Sequence, residues 1–490
     1  MNKLTRRDFM RNTAIAGAGL TIVPSSVVSG LGHKAPSDKL NIAGIGVGGR
    51  GAGVLSDIAS QNIVALCDVD WKYSAKTFEK YPNARRFMDF REMYDKMGKD
   101  IDAVMVATAD HTHCLIASHA ITMGKHVYLE KPLTHSVYES RLLTKLSDKY
   151  KVATTMGNQG SSGEGVNLIC EWIANGEIGE ITKVEAFTDR PIWPQGLNTP
   201  ETSTYYDVSQ LNWDLFVGPA KMRPFNEIYH PWNWRGWWDY GTGALGDMAC
   251  HILHPVFVGL ELGYPTKVQG SSTLLLNDCA PSAQQVRLVF PERKPSKNMK
   301  IKLPEVEVTW SDGGIKPFLP EGWPAGKNPN NAGGYVCFHG TKDKIICGCY
   351  GKEPWLLSGR TPSAPKFRRR VEKSHGMDWV RACKESASSR TETASPFSEA
   401  GPFNEMVVMG VLAVRLQALN KELEWDGANM QFTNISANEE IKTCVKDGFH
   451  IKDGHPSFDK HWTEPVPATD YANELIKHTY RQGWELPPMP

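Results

Sequence analysis

The sequence predicts an α/β protein of two domains, a doubly wound parallel sheet over residues 38–160 followed by an α+β domain over residues 161–490. Three observations predict it. Short apolar runs alternate with helical segments up to Ser161, as buried parallel strands and their crossovers do. Between Thr266 and Gly351 apolar and polar residues alternate around glycine turns, the pattern of half-buried antiparallel strands. The 490 residues also exceed the usual size of one domain.

The first element is KLNIAGIGVGGRGAGVLSDI (39–58), a short strand, a glycine turn and an amphipathic helix. Gly44, Gly46 and Gly49 make the GxGxxG spacing, with Val47 inside the turn. That spacing permits a tight turn, close backbone approach to a pyrophosphate and close helix–strand contact. The next run, NIVALCDVD, ends at Asp68, 19 residues past Gly49 (68 − 49). An acid there binds the adenine-ribose hydroxyls and repels a 2′-phosphate, so the Rossmann reading favours NAD over NADP. DAVMVATADHTH then gives a buried strand and a loop carrying Thr108, His111 and His113. KHVYLEKPLTH gives a strand ending in Glu130, Lys131 and Pro132, and VATTMGNQGS delivers Asn158 and Gln159 to the same edge. Doubly wound sheets place their chemistry at these carboxyl ends. His113, Glu130 and Asn158 are accordingly expected around the cofactor.

Beyond Asn158 a helix (163–179) and a strand (181–191) are expected, then an excursion from Ile192 to Tyr240 dense in Trp. Long loops inside compact domains tend to be functional, and flat rings stack on sugar C–H faces. Arg190, Trp193, His230, Trp232, Asn233, Trp234 and Arg235 are therefore candidates for a saccharide pocket. Strands follow in TKVQGSSTLLL, QQVRLVF, MKIKLPEVEVTWSDG and GYVCFHGTKDKIICGCYG, then an exposed connector over 358–370. Helices are expected in SHGMDWVRACKES, EMVVMGVLAVRLQAL and FTNISANEEIK, with the ending YRQGWELPP packed back on the core or on a neighbouring subunit.

In GTGALGDMACHILHP, Asp247 and His251 are four apart and share one helix face. Oxidising a secondary alcohol needs a base for the hydroxyl proton, and histidine titrates near working pH. His251 is the candidate base. Asp247 orients the imidazole or binds a substrate hydroxyl, and Lys131 stabilises the alkoxide or moves the proton itself. An N-capping Asp and a structural His are the alternative, and His254 reads as structural. GIGVGGRG, ATADHTH, EKP and GALGDMACH together resemble the Gfo/Idh/MocA (glucose-fructose oxidoreductase / inositol dehydrogenase) family from about Leu40 to Gly263. The resemblance implies an open, mostly antiparallel second sheet that mediates oligomer contacts. It also implies that Lys131 meets the substrate near the nicotinamide, with Glu130 beside it, Asp247 and His251 in the same pocket, and Thr108 near the cofactor.

The 55 basic and 54 acidic residues nearly cancel and form no basic block, which removes the footprint of a nucleic-acid binder. The ten cysteines lack metal-site spacing and read as buried thiols, and no metal is expected. TRRDFMR (5–11) and the apolar run Thr13–Val23 resemble a twin-arginine export signal over residues 1–30, with Arg6 and Arg7 as the recognised pair. The expectation is a folded, exported periplasmic protein without stable membrane insertion, a homo-oligomer holding its dinucleotide tightly. Hydride transfer between a sugar, glycoside or polyol and NAD is the favoured chemistry. The rivals are a redox-neutral glycosidase that oxidises, eliminates and reduces, and a non-catalytic sugar- or dinucleotide-binding protein.

Overall fold

A computed structural model describes residues 38–199 and 206–490. The export segment read in residues 1–30 lies outside the described residues. The first sheet is built from β1 (Asn41–Ile45), α1 (Gly49–Asp57), β2 (Asn62–Cys67), α2 (Ala75–Lys80), β3 (Arg85–Phe87), α3 (Phe90–Met97), β4 (Ala103–Val106), α4 (His113–Thr122), β5 (His126–Leu129), α5 (Val137–Tyr150) and β6 (Thr154–Met156). Its order is β3-β2-β1-β4-β5-β6, all parallel. Helices cover both faces, so β4 is buried at every residue, which is why the run AVMV shows no alternation. The strand order reverses between β1 and β4, and the crevice of such a sheet opens there.

The chain continues through α6 (Glu164–Asn175), β7 (Ile181–Thr188), α7 (Trp213–Val217), α8 (Gly243–Ile252), α9 (His254–Gly259), β8 (Lys267–Ser272), β9 (Gln284–Phe290), β10 (Val306–Ser311), β11 (Gly334–Gly340), β12 (Lys344–Gly348), β13 (Trp355–Leu356), α10 (His375–Lys384), α11 (Phe397–Arg415), β14 (Leu423–Asp426) and β15 (Gln431–Phe432). The nine strands β13-β12-β11-β7-β10-β9-β8-β14-β15 form one open sheet. Only β7 and β10 pair in parallel. Val184 and Ala186 of β7 are buried while Lys183 is exposed, the alternation expected of a sheet covered on one face.

Sequence order and spatial layer part company at two helices. Trp379 of α10 is fully buried among Ile42, Leu66, Met105 and Tyr128, so a segment from late in the chain covers the first sheet. In α11, Asn404 Oδ1 accepts from Leu133 N–H (3.0 Å) and Glu405 pairs with Arg141, tying both domains to a common core. The C-terminal segment packs back on the first domain, with buried Trp484 beneath Arg91.

Two expectations are corrected. Residues 432–442 are not helical, because Asn434 and Glu439 bond backbone groups instead: Glu424 N–H donates to Asn434 Oδ1 (2.9 Å) and Ser436 N–H to Glu439 Oε2 (2.6 Å). The connector 358–370 is exposed at most of its residues, as expected, and it is also tethered, since Phe367 and Arg368 N–H groups and the Arg370 side chain all meet the buried Glu171 carboxylate. Helix α11 starts at Phe397, eight residues before the expected start at Glu405 (405 − 397), with Pro402 in its first turns. All ten cysteines are buried and unpaired, as their scatter predicts. Among the described residues no helix is long and apolar enough to cross a membrane.

Candidate active site

The glycine turn begins two residues later than its spacing suggests. Gly44 is the fourth residue of β1, and the turn proper starts at Gly46, whose φ of +73° suits glycine. A Cβ on Gly46 would sit 2.6 Å from the Ala107 carbonyl oxygen, and one on Gly51 would sit 2.0 Å from that of Gly46. Gly46, Gly48 and Gly51 therefore hold the turn, phosphate-approach and helix-packing roles first assigned to Gly44, Gly46 and Gly49. Gly48 caps α1 without a side chain, and no acid lies in the first turn. The helix start thus presents amides and the positive end of the dipole to the crevice, a cradle that fits a pyrophosphate.

At the end of β2, Asp68 Oδ2 accepts from Val47 N–H (2.8 Å) and Gly48 N–H (3.1 Å), while Oδ1 accepts from Asp70 N–H (2.9 Å). Burial outweighs these bonds and pushes its pKa up to about 6. Asp68 therefore fixes the turn as well as facing the crevice. Val47 is corrected: its amide is spent on Asp68 and its carbonyl on Thr77, so it braces the turn from behind.

Asp68 and the turn line one cavity of about 570 Å³ with Thr108, Glu130, Lys131, Asp247 and His251. Lys131 follows β5 and Asp247 lies on α8, so the two domains meet where Lys131 Nζ donates to Asp247 Oδ1 (2.5 Å). Arg235 Nε donates to the same oxygen (3.3 Å) and stacks on Trp234, 4.3 Å from the ring centroid. Burial opposes both charges of the pair. The Asp247 charge nonetheless holds the Lys131 pKa above its ordinary value, and Lys131 and Arg235 hold the Asp247 carboxyl well below the carboxylate range. The His251 pKa is driven well below 6.5 by burial and by the Lys131 cation, so the ring is neutral. Its Nδ1 lies 3.1 Å from Asn158 Oδ1. A proton on Nδ1 shared with Asn158 leaves the Nε2 lone pair for the cavity.

Glu130 is held by Arg50 Nε (2.9 Å) at the cavity wall. Several candidates are relocated. Asn158 is fully buried beneath His251 and orients the ring rather than touching a cofactor. His113 lies outside the cavity lining, between the carbonyls of Pro132 (2.8 Å) and Thr108 (3.1 Å), so it positions the Lys131 and Thr108 loops. His111 of the same loop is 3% exposed and bonded to the carbonyls of Phe216 and Val217. Trp193 is buried behind Trp232, ring centroids 5.8 Å apart. His230 sits at the β2 end, its Nε2 2.8 Å from Asp70 Oδ2, on the cofactor side. Arg190, Trp232, Trp234 and Arg235 remain on the wall beside Asp247.

Tyr350 and Arg50 are among the lining residues that escaped the sequence reading. Tyr350 packs 4.5 Å from the His251 ring in a left-handed conformation (φ 65°), which its local sequence does not announce. Arg50, the helix residue that grips Glu130, was hidden inside the glycine motif.

Fold and cavity together define a two-domain protein of the NAD-binding oxidoreductase class. Residues 39–158 match the Gfo/Idh/MocA oxidoreductase family's NAD-binding Rossmann fold and residues 180–290 match its C-terminal alpha/beta domain. A glycosyl hydrolase family 109 protein from Akkermansia muciniphila is 30% identical over 174 residues, 33% of this chain and 36% of that one. The levoglucosan dehydrogenase of Pseudarthrobacter phenanthrenivorans is 29% identical over 177 residues, 35% and 37% of the two chains. The match thus spans well under half the length of these curated relatives. Among solved structures, the WlbA dehydrogenase of Chromobacterium violaceum in complex with NADH and UDP-GlcNAcA is similar in fold, with a TM-score of 0.54, 16% identity and coverage of 79% of this chain and 96% of that one.

Proposed function

We propose that the protein is an NAD-dependent oxidoreductase acting on a carbinol carbon of a sugar, glycoside or polyol. The observation that carries this reading is the convergence of Lys131 from one domain with Asp247 and His251 from the other, in the cavity that the glycine turn opens. Bound NAD supplies a two-electron acceptor at its nicotinamide ring. The neutral His251 takes the carbinol proton at Nε2, with Asn158 fixing the ring through Nδ1. The Lys131 ammonium, kept protonated by Asp247, stabilises the charge that develops on the carbinol oxygen. Trp234 and Arg235 supply a flat wall for the ring. The Asp68 carboxylate disfavours a 2′-phosphate, so NAD is preferred to NADP.

A redox-neutral glycosidase is the second reading, favoured by the family 109 glycosyl hydrolases among the relatives. Residues 1–30 support export by the twin-arginine route, and thus a periplasmic site of action. A homo-oligomer is supported by the apolar face of the hairpin formed by Cys444–Lys452 and His455–Trp462, where Phe449 and Phe458 are 64% and 71% exposed. The test follows absorbance at 340 nm across a panel of sugars and nitrophenyl glycosides. Reduction of NAD by a sugar supports the oxidoreductase. Aglycone release without accumulating keto sugar supports the glycosidase, and no response from any member rejects both.

A further inference from the structure

The α8 end of the cavity holds more positive charge than its carboxylates neutralise. Lys131 and Arg235 converge on one Asp247 oxygen, at 2.5 and 3.3 Å. Arg190 lines the same cavity from just beyond β7, with its Nη1 paired to Asp189. Arg50 and Glu130 pair with each other and cancel. Lys131, Arg190 and Arg235 therefore face Asp247 and Asp189, an excess of one positive charge (3 − 2). His251 is neutral and leaves the count unchanged. Behind this wall, Asp110 accepts from the Thr242 amide (3.2 Å) and hydroxyl (2.8 Å), and burial pushes its pKa up to about 7. Below that pH it is mostly a neutral acid, so it does not remove the excess.

Both guanidinium groups also keep donors in reserve. Arg235 spends Nε on Asp247 and Nη1 on the Trp232 carbonyl (3.2 Å), which leaves Nη2 without a partner among the described residues. Its Cζ lies 4.3 Å from the Trp234 ring centroid and 5.4 Å from that of Trp232. The rings fix the fork in place and consume none of its N–H groups. Arg190 is steadied differently: Asp189 holds Nη1, and a Cβ on Gly333 would lie 3.4 Å from Nη2, so the guanidinium packs on bare backbone. Its Nη2 likewise has no partner among the described residues. The Arg190 and Arg235 side chains are 27% and 19% exposed, so their charge is only partly screened from a ligand in the cavity.

We propose that this wall selects sugars bearing an anionic substituent, a carboxylate or a sulfate ester, with Arg235 as the first contact and Arg190 as the second. The inference deepens the reading of the site as a sugar oxidoreductase and rests on it. An anionic oxygen takes the spare Nη2 donors and offsets the charge that Asp247 and Asp189 leave over, whereas a neutral sugar leaves both to water. The anion sits on a different ring position from the carbinol carbon that meets Lys131 and His251. Arg235 and Arg190 are thus substrate-binding groups and take no part in proton transfer.

The test compares sugars matched in stereochemistry and differing in charge: methyl glucuronide with methyl glucoside, methyl galacturonide with methyl galactoside, and each hexoside with its 6-sulfate. Calorimetry on the full chain with NAD present gives affinities, and absorbance at 340 nm gives kcat/KM. The wild-type protein is expected to favour an anionic member over its neutral twin by about tenfold or more, and the favoured arm tells carboxylate from sulfate. Added salt should shrink that ratio. Arg235→Gln and Arg190→Gln should each lower it by about fivefold or more, through KM rather than kcat. Arg190 is the more exposed of the two and keeps the test intact should Arg235→Gln fail to fold. Neutral sugars bound and oxidised as well as their anionic twins, or a charge preference unchanged in both variants, overturn the anion-selecting wall and leave the oxidoreductase reading in place. Anionic sugars bound in preference but with no change at 340 nm remove the oxidoreductase reading and leave the wall standing. Binding of no member overturns the wall as well.

Discussion

The two ends of the cavity are built from different materials. At the β2 end the ligand would meet backbone amides at the start of α1 and a glycine turn without room for side chains, fixed by the Asp68 carboxylate and walled by the rings of Tyr73, Phe216 and His230. At the α8 end it would meet charged side chains, Lys131, Asp247 and Arg235, beside the neutral His251. Backbone made the first end specific for a shape common to dinucleotides. Side chains made the second end specific for a chemical step, and they come from both domains. Lesions at the two ends should therefore separate binding from turnover.

The largest effect is expected at the side-chain end. Lys131→Met should lower turnover by roughly 10³-fold while the protein still takes up NAD. Equal loss of NAD uptake, read by mass of the bound nucleotide, would break the distinction between the ends. Next comes the register of the glycine turn. Gly51→Ala drives a Cβ into the Gly46 carbonyl at 2.0 Å, whereas Gly44→Ala meets only side-chain methyls at 3.0–3.2 Å. Calorimetry should show NAD affinity lost by about tenfold or more in the first and less in the second, and the reverse order would restore the original assignment of the motif.

Acid sensitivity sharpens the contrast further. Burial lowers the pKa of His111 to about 3, and those of His113 and His251 also lie below 6.5. The unfolded chain binds protons at these residues below about pH 6.5 while the folded chain does not, so each destabilises the fold as pH drops through that range, by about 1.4 kcal/mol per unit of depression, against the opposite contribution of the buried Asp110, Glu139 and Asp312 carboxyls, whose pKa is raised to about 7. Thermal melts of the wild-type protein and of His111→Gln between pH 7 and 4.5 check this: the variant should lose less stability over that range, and equal losses would contradict it. The smallest effect belongs to Asp68, whose pKa near 6 predicts that preference for NAD over NADP narrows as pH falls below 6, because the protonated carboxyl no longer repels a 2′-phosphate. Binding of both nucleotides at pH 5.5 and 7.5 measures it.

The same contrast explains what was legible in the sequence. The glycine turn, the acid after β2 and the strand-end clusters are local patterns with fixed spacing, so the first sheet and its crevice could be read residue by residue. Even there the register slipped by two, because GIGVGGRG satisfies GxGxxG at both Gly44 and Gly46, and only the strand pairing tells which glycine leaves the sheet. Lys131, Asp247 and His251 were legible as types. Tyr350, by contrast, reaches His251 only through a left-handed bend near Gly160, a position that no local pattern encodes. His230 and Trp193 were read together as saccharide contacts because they share an aromatic stretch. The chain sends one to Asp70 and buries the other, a long-range outcome that spacing does not contain.

The most direct test is a crystal structure of the protein grown with NAD. The pyrophosphate should lie on the amides at the start of α1, the adenine ribose beside Asp68, and the nicotinamide within reach of Lys131 and His251. NAD bound elsewhere, or a nicotinamide turned away from the Lys131–Asp247 pair, would contradict the account.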